Sequence, residues 1–265
     1  MFKTRLISGI MLLAIAITFI TLGENVLFGA VLVISLVGMT ELYKIVKVER
    51  SLLGIIGYLV AIGYNILIYF SLDDYLQLLF IGFLLILMVV YVIAYPLYRI
   101  EQVMTVFFGL FYVAIMLSYI YRVAALEDGA ILVWLIFIGA WGSDTCAYAV
   151  GILLGKHKMA PRLSPKKSVE GCVGGVIGAA LIGYIYALIL GDKIVGLTNP
   201  RVLFAIIGAS SSVISQIGDL AASAIKRNYN IKDYGKLIPG HGGILDRFDS
   251  IIFTAPIVYY LAVFF

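Results

Sequence analysis

Nine apolar stretches dominate the chain, at about 6–22, 25–43, 52–70, 76–95, 103–120, 131–154, 171–190, 202–222 and 250–265. Each is close to the roughly 20 residues an α-helix needs to cross a hydrocarbon core, the first and last being at the short limit. Lipid offers no water to a bare N–H or C=O, so only helices and closed barrels can span it. The strand-like alternation of a barrel is absent. The pattern therefore predicts an all-α, polytopic integral membrane protein with about nine transmembrane helices. Composition agrees, with 63% hydrophobic and 13% charged residues, where a soluble domain is roughly half apolar and about a quarter charged. A soluble enzyme, a disordered chain and a disulfide scaffold are excluded. Cys146 and Cys172 lie in apolar runs, and neither belongs to a CxxC pair.

The charges orient the spans. With the N-terminus inside, all of the 19 basic residues except Arg122, Lys193 and Arg201 fall on the cytoplasmic side. By the positive-inside rule this predicts N-inside and C-outside, in agreement with an odd number of spans. Lys3 and Arg5 ahead of an apolar run also suit a signal peptide, but no clean small-residue cleavage site follows.

Residues 1–130 read as membrane helices that serve as scaffold and as a packing or dimer region. Their acids, Glu24, Glu41, Glu49, Asp73, Asp74, Glu101, Glu127 and Asp128, sit at span ends or in loops and read mostly as solvated. Residues 131–265 read as the catalytic membrane domain, with cytoplasmic loops at 155–170 and 223–250. Asp144 lies within an apolar span, where a charge costs about 2.5–3.5 kcal/mol on insertion scales. It is expected to face a bundle interior, a cavity or a partner; the plainer alternative is a hydrogen bond to a neighbouring helix. Asp219 ends another span. The first loop, Gly155 to Ser168, carries Lys166 and Lys167 in a Ser-Pro-Lys-Lys turn and has two prolines. These suggest a shaped loop, whereas its charge alone could serve topology or attract anionic lipid. Gly171, Gly175, Ala179 and Gly183 recur every four residues, a stripe suited to close helix packing.

The second loop is denser. On a helix, Asp219, Ser223, Lys226 and Arg227 can share one face, as can Asp246 and Asp249. Pro239-Gly-His-Gly-Gly243 cannot be helix interior and forms a backbone turn of the kind that brings N–H groups to an oxyanion. Carboxylates with a serine oxygen suit Mg²⁺. His157 and His241 with two distant cysteines make a poor zinc set, so His241 reads as a loop hydrogen-bonder or phosphate contact. Acids and cations together at a membrane suggest phosphoryl or nucleotidyl transfer on a lipid, where metal and cations neutralise charge on a leaving pyrophosphate. The alternative is a cation-coupled transporter using Asp144 and Asp219, which predicts internal repeats that this chain lacks.

The residues from Ser223 through Lys226, Arg227, Lys232, Asp233, Gly235 and Pro239-Gly-His-Gly-Gly243 to Asp246, Arg247 and Asp249 resemble the signature of the phosphatidate cytidylyltransferase (CDP-diacylglycerol synthase) family. Ser143-Asp-Thr145, Ala147-Tyr148, Gly155-Lys-His-Lys158, Ser164 to Gly171 and Gly218-Asp219-Leu220 are similar to it too, so the match covers about 141–250. The resemblance implies that CTP and phosphatidate react to CDP-diacylglycerol and pyrophosphate with Mg²⁺, with one ion or two left open. It implies a homodimer in the bacterial inner membrane, a site open to the cytoplasm, and no nucleic-acid partner. Asp219 and Asp246 are then the leading metal ligands, with Asp144 and Asp249 next, and Asp249 also counts among the catalytic residues. Ser223 assists Asp219. Lys166, Lys167, Lys226, Arg227 and Arg247 bind triphosphate or lipid phosphate, and His241, Gly242 and Gly243 touch phosphate or shape the turn.

Overall fold

The computed structural model describes residues 2–194, 199–238, 240 and 242–265. Among these the chain forms nine long helices, one at each apolar stretch. They are α1 (Phe2–Thr21), α2 (Glu24–Ile45), α3 (Leu52–Tyr69), α4 (Leu76–Ile93) and α5 (Ile100–Ala124). There follow α6 (Gly129–Leu154), α7 (Val169–Leu190), α8 (Pro200–Asn228) and α9 (Leu245–Phe264). Eight, α2 to α9, are long and apolar enough to cross a membrane, whereas the apolar part of α1 among the described residues, Met11–Thr21, is shorter. The chain is thus an all-helical polytopic membrane protein. Helix ends follow local chemistry. Ser51 and Ser168 are N-caps whose hydroxyls accept from the N–H groups of Gly54 and Gly171, opening α3 and α7. Pro200 stands at the first turn of α8, where its missing N–H costs nothing.

Two compact units divide the chain: residues 1–118 with 233–246, and residues 119–232 with 247–265. In the first unit Tyr43 on α2 is fully buried and donates its hydroxyl to the Val106 carbonyl of α5 at 2.9 Å. Its ring occupies the space that a Cβ at Gly57 or Gly109 would need, so these two glycines admit a large side chain where helices approach. Outer faces are apolar too. On α4, Leu78, Ile81, Leu85, Val89 and Val92 are exposed while Phe83 and Leu87 are buried, as expected where lipid is the solvent.

In the second unit α7 packs against α6 and α8. The stripe Gly171, Gly175, Ala179 and Gly183 is buried, as its spacing predicts. A Cβ on Gly175 would meet the Ser143 carbonyl and Ala147 Cβ of α6 at 3.1 Å, and one on Gly183 would strike the Phe204 backbone of α8. Polar bonds tie the same helices: Ser143 to Ser212 at 2.6 Å, and Gln216 Nε2 to the Cys172 carbonyl at 3.0 Å. The 155–168 loop is shaped as a hairpin, with β1 (Lys158–Ala160) antiparallel to β2 (Ser164–Ser168). Ser-Pro-Lys-Lys is therefore strand rather than turn. Glu170 closes the base of the hairpin. It accepts from the Lys156 N–H at 3.1 Å and pairs with His157 Nδ1 at 2.5 Å.

Two interruptions stand out. α5 contains a π-helical turn at Leu110–Ile115, and α6 contains one at Ile138–Gly142, immediately before Ser143 and Asp144. A π-turn inserts an extra residue and re-aims the helix that follows, and such turns occur often at functional sites.

Candidate functional site

The residues singled out by sequence fall into two groups, one in each unit. In the second unit the centre is an ion pair, Lys167 Nζ to Asp219 Oδ2 at 2.5 Å. Lys167 comes from β2 and Asp219 from α8. Asp144, on α6 just past its π-turn, interacts electrostatically with both and with Arg247 of α9. Asp249, one turn into α9 and buried, interacts with Asp219, Lys226 and Arg247, and its Oδ1 accepts from the Ser250 N–H at 2.9 Å. Gly218 lets these helices approach: a Cβ there would meet the Asp249 carbonyl at 2.9 Å and the Phe253 ring at 2.7 Å. Three carboxylates and three cations from four elements thus share one neighbourhood. A cavity of about 400 Å³ opens beside them, lined by Asp144, Tyr148, Lys166, Lys167, Cys172 and Gln216. Its size is within the roughly 300–1,000 Å³ of small-molecule sites.

Ser223 lies one turn beyond Asp219 on α8 and is half-buried, while Arg227 is exposed near the helix end. The 29 residues of α8 at ~1.5 Å each make a rod of about 43 Å. That is longer than a hydrocarbon core of about 30 Å, so its last turns, with Ser223, Lys226 and Arg227, can reach the headgroup region.

The first unit holds the glycine-rich loop. His241 and Pro239 lie outside the described residues. Gly240 and Gly242 have φ of 77° and 86°, a backbone region that side chains disfavour. The Ile238 N–H donates to the Gly242 carbonyl at 2.8 Å and closes the turn. Asp246, buried on the first turn of α9, accepts through Oδ2 from the Tyr234 N–H at 2.8 Å and the Gly243 N–H at 2.9 Å. The Gly243 amide is thus directed at a carboxylate of the chain itself.

One residue overturns its sequence reading. Glu41, read as a solvated span-end acid, is only 3% exposed. Its two carboxylate oxygens accept from the Ile244 N–H at 3.0 Å and the Leu245 N–H at 2.8 Å. The reason is tertiary. The backbone at Gly243, Ile244 and Leu245 lies against α2, and a carboxylate is the natural partner for unsatisfied N–H groups opening a helix. A signal was present: Glu41 continues the buried stripe of Leu27, Val31, Ser35 and Gly38 along α2.

No three His, Cys, Asp or Glu side chains among the described residues form a ready-made metal cage. The donor chemistry nevertheless fits Mg²⁺. Asp144, Asp219 and Asp249 offer carboxylate oxygens, and Mg²⁺ is commonly held by one or two of these, with water and substrate phosphates completing its shell.

The fold and site together define a polytopic all-helical membrane protein that gathers acids and cations beside a cavity. The cytidylyltransferase family model matches residues 3–265, and the chain belongs to that family. It is 30% identical to the phosphatidate cytidylyltransferase of Bacillus subtilis, over 99% of this chain and 98% of that one. It is 38% identical to the protein of the same name from Thermotoga maritima, over 57% of this chain and 56% of the relative. The corresponding Synechocystis protein is 43% identical over 51% of this chain and 44% of its own length.

Proposed function

We propose that this chain transfers the cytidylyl group of CTP to phosphatidate, giving CDP-diacylglycerol and pyrophosphate, a step of phospholipid biosynthesis. The observation that carries the reading is the Lys167–Asp219 pair, with Asp144, Asp249, Lys226 and Arg247 around it, in a chain of this family. Both reactants are anions and repel. Lys166, Lys167, Lys226, Arg227 and Arg247 supply the positive charge that lets them approach. Phosphatidate carries a phosphate monoester whose second pKa is about 6, so the attacking oxygen is ionised without a strong base. That oxygen forms a bond to the α-phosphorus of CTP. The bond between the α-phosphorus and its bridging oxygen breaks, and the electron pair leaves on the pyrophosphate. The cations hold the leaving group in line and take up its growing charge.

Metal binding is assigned to Asp219 and Asp144 in one unit and to Asp246 in the other, and Mg²⁺ would neutralise the triphosphate and stabilise the pyrophosphate. Asp249 follows as a further candidate ligand, Ser223 assists Asp219, and His241, Gly242 and Gly243 touch phosphate or shape their turn. The catalytic function is assigned to 131–265 and the scaffold role to 1–130. The protein is read as a homodimer of the bacterial inner membrane, N-inside, with its site facing the cytoplasm. The test is direct. Purified protein with CTP, phosphatidate and Mg²⁺ should yield CDP-diacylglycerol and one pyrophosphate per lipid. EDTA should abolish turnover and added Mg²⁺ should restore it. Failure to form any liponucleotide under these conditions would sink the reading.

A further inference from the structure

Glu41 stands 203 residues before the loop it touches, in the part of the chain that sequence marks as scaffold. Its surroundings are built around it. Both oxygens receive a backbone N–H, one from Ile244 and one from Leu245. Three glycines make room for the contact. A Cβ on Gly243 would lie against both Glu41 oxygens. One on Gly235 would strike the same carboxyl group, at 2.8 Å from its carbon, and would meet Gly243 Cα at 3.1 Å. On α2, Gly38 lies one turn before Glu41, and a Cβ there would meet Leu245 Cδ1 at 3.0 Å. The next residue after this anchor is Asp246. It uses Oδ2 to hold the Gly243 and Tyr234 amides from the other side of the same loop. Two buried carboxylates therefore share one short stretch of backbone. Glu41 takes the amides of 244 and 245, and Asp246 takes those of 234 and 243.

We propose that Glu41 is a positioning residue for cytidylyl transfer: its carboxylate fixes the backbone of Gly243, Ile244 and Leu245 to α2 and thereby sets where Asp246 presents its carboxyl group. The inference rests on the reading of Asp246 as part of the reaction site. The physical case is that a buried carboxylate accepting two N–H bonds is hard to replace. Glutamine keeps the shape but offers one acceptor oxygen, and its NH₂ opposes the other amide. Removing the partner leaves buried N–H groups without an acceptor at a helix start.

The test compares the wild type, Glu41→Gln and Glu41→Ala as full-length protein in detergent. The first measurement needs no activity: amide hydrogen exchange of peptides covering 234–246. Both variants should exchange there about 10-fold faster or more, with α3 and α7 peptides unchanged. The second is kinetic. For Glu41→Gln, kcat should fall about 10-fold or more and the Mg²⁺ concentration for half-maximal rate should rise, while KM for phosphatidate stays within about twofold. A purely structural role would lower the melting temperature and leave this split absent. Unchanged exchange in 234–246 of Glu41→Gln, or retained kcat in that variant, overturns the proposal. Should Glu41→Ala fail to fold, the glutamine variant decides. A wild type that makes no CDP-diacylglycerol would overturn the functional reading, and with it the role in turnover. Accelerated exchange would then support only the tether.

Discussion

At the scale of single residues, the acids of this chain differ by what holds them. Asp219 is paired with a lysine, Asp249 accepts a backbone N–H, Asp246 accepts two, and Glu41 accepts two more. Each carboxylate is thereby kept in a defined place inside an otherwise apolar chain. Asp219→Asn and Asp246→Asn should each abolish turnover while the protein still elutes as a folded species in detergent; near-normal rates from either variant would break the metal assignment. Asp219 and Asp246 were legible as candidates because their spacing to Ser223 and Asp249 put polar groups on helical faces. Glu41 was not: its spacing continues the stripe of Leu27, Val31, Ser35 and Gly38, but spacing alone does not tell that a distant loop folds over an acid at a span end.

Among elements, the glycine-rich loop is the instructive case. Its sequence pointed to a turn that offers N–H groups to an oxyanion, and two of its glycines do have positive φ. The structure supplies a second reason for the pattern, since glycine is needed where two carboxylates press on the backbone. Gly243 is not among the positive-φ residues, so alanine there is opposed by contact with Glu41 and not by backbone strain. Gly243→Ala should destabilise the protein by about 1–3 kcal/mol. In a Glu41→Ala background the same change should cost measurably less, a coupling that a double-mutant cycle on thermal unfolding reads. Equal costs in the two backgrounds would place the strain elsewhere. The hairpin offers a parallel lesson. Two prolines announced a shaped loop, but not the strand pairing that carries Lys167, which runs into the Ser168 cap of α7 and is closed at its base by Glu170.

For the whole molecule, the apolar stretches translate into helices almost one for one, because span length and the need to satisfy every backbone group leave little choice in lipid. Orientation is a prediction at this scale. A single cysteine introduced at position 226 should react with a membrane-impermeant thiol reagent only from the cytoplasmic side, in a background where Cys146 and Cys172 are replaced. Reaction from outside would invert the topology. The sequence by itself determined the number and place of the helices, the small-residue stripe that packs α7, and the family to which the chemistry belongs, since each depends on patterns within a few turns. Tertiary structure alone decided which carboxylate meets which partner: Lys167 on Asp219, and Glu41 on the start of α9. Those pairings join residues 52 and 204 positions apart, and no local periodicity encodes which distant polar groups burial will force together.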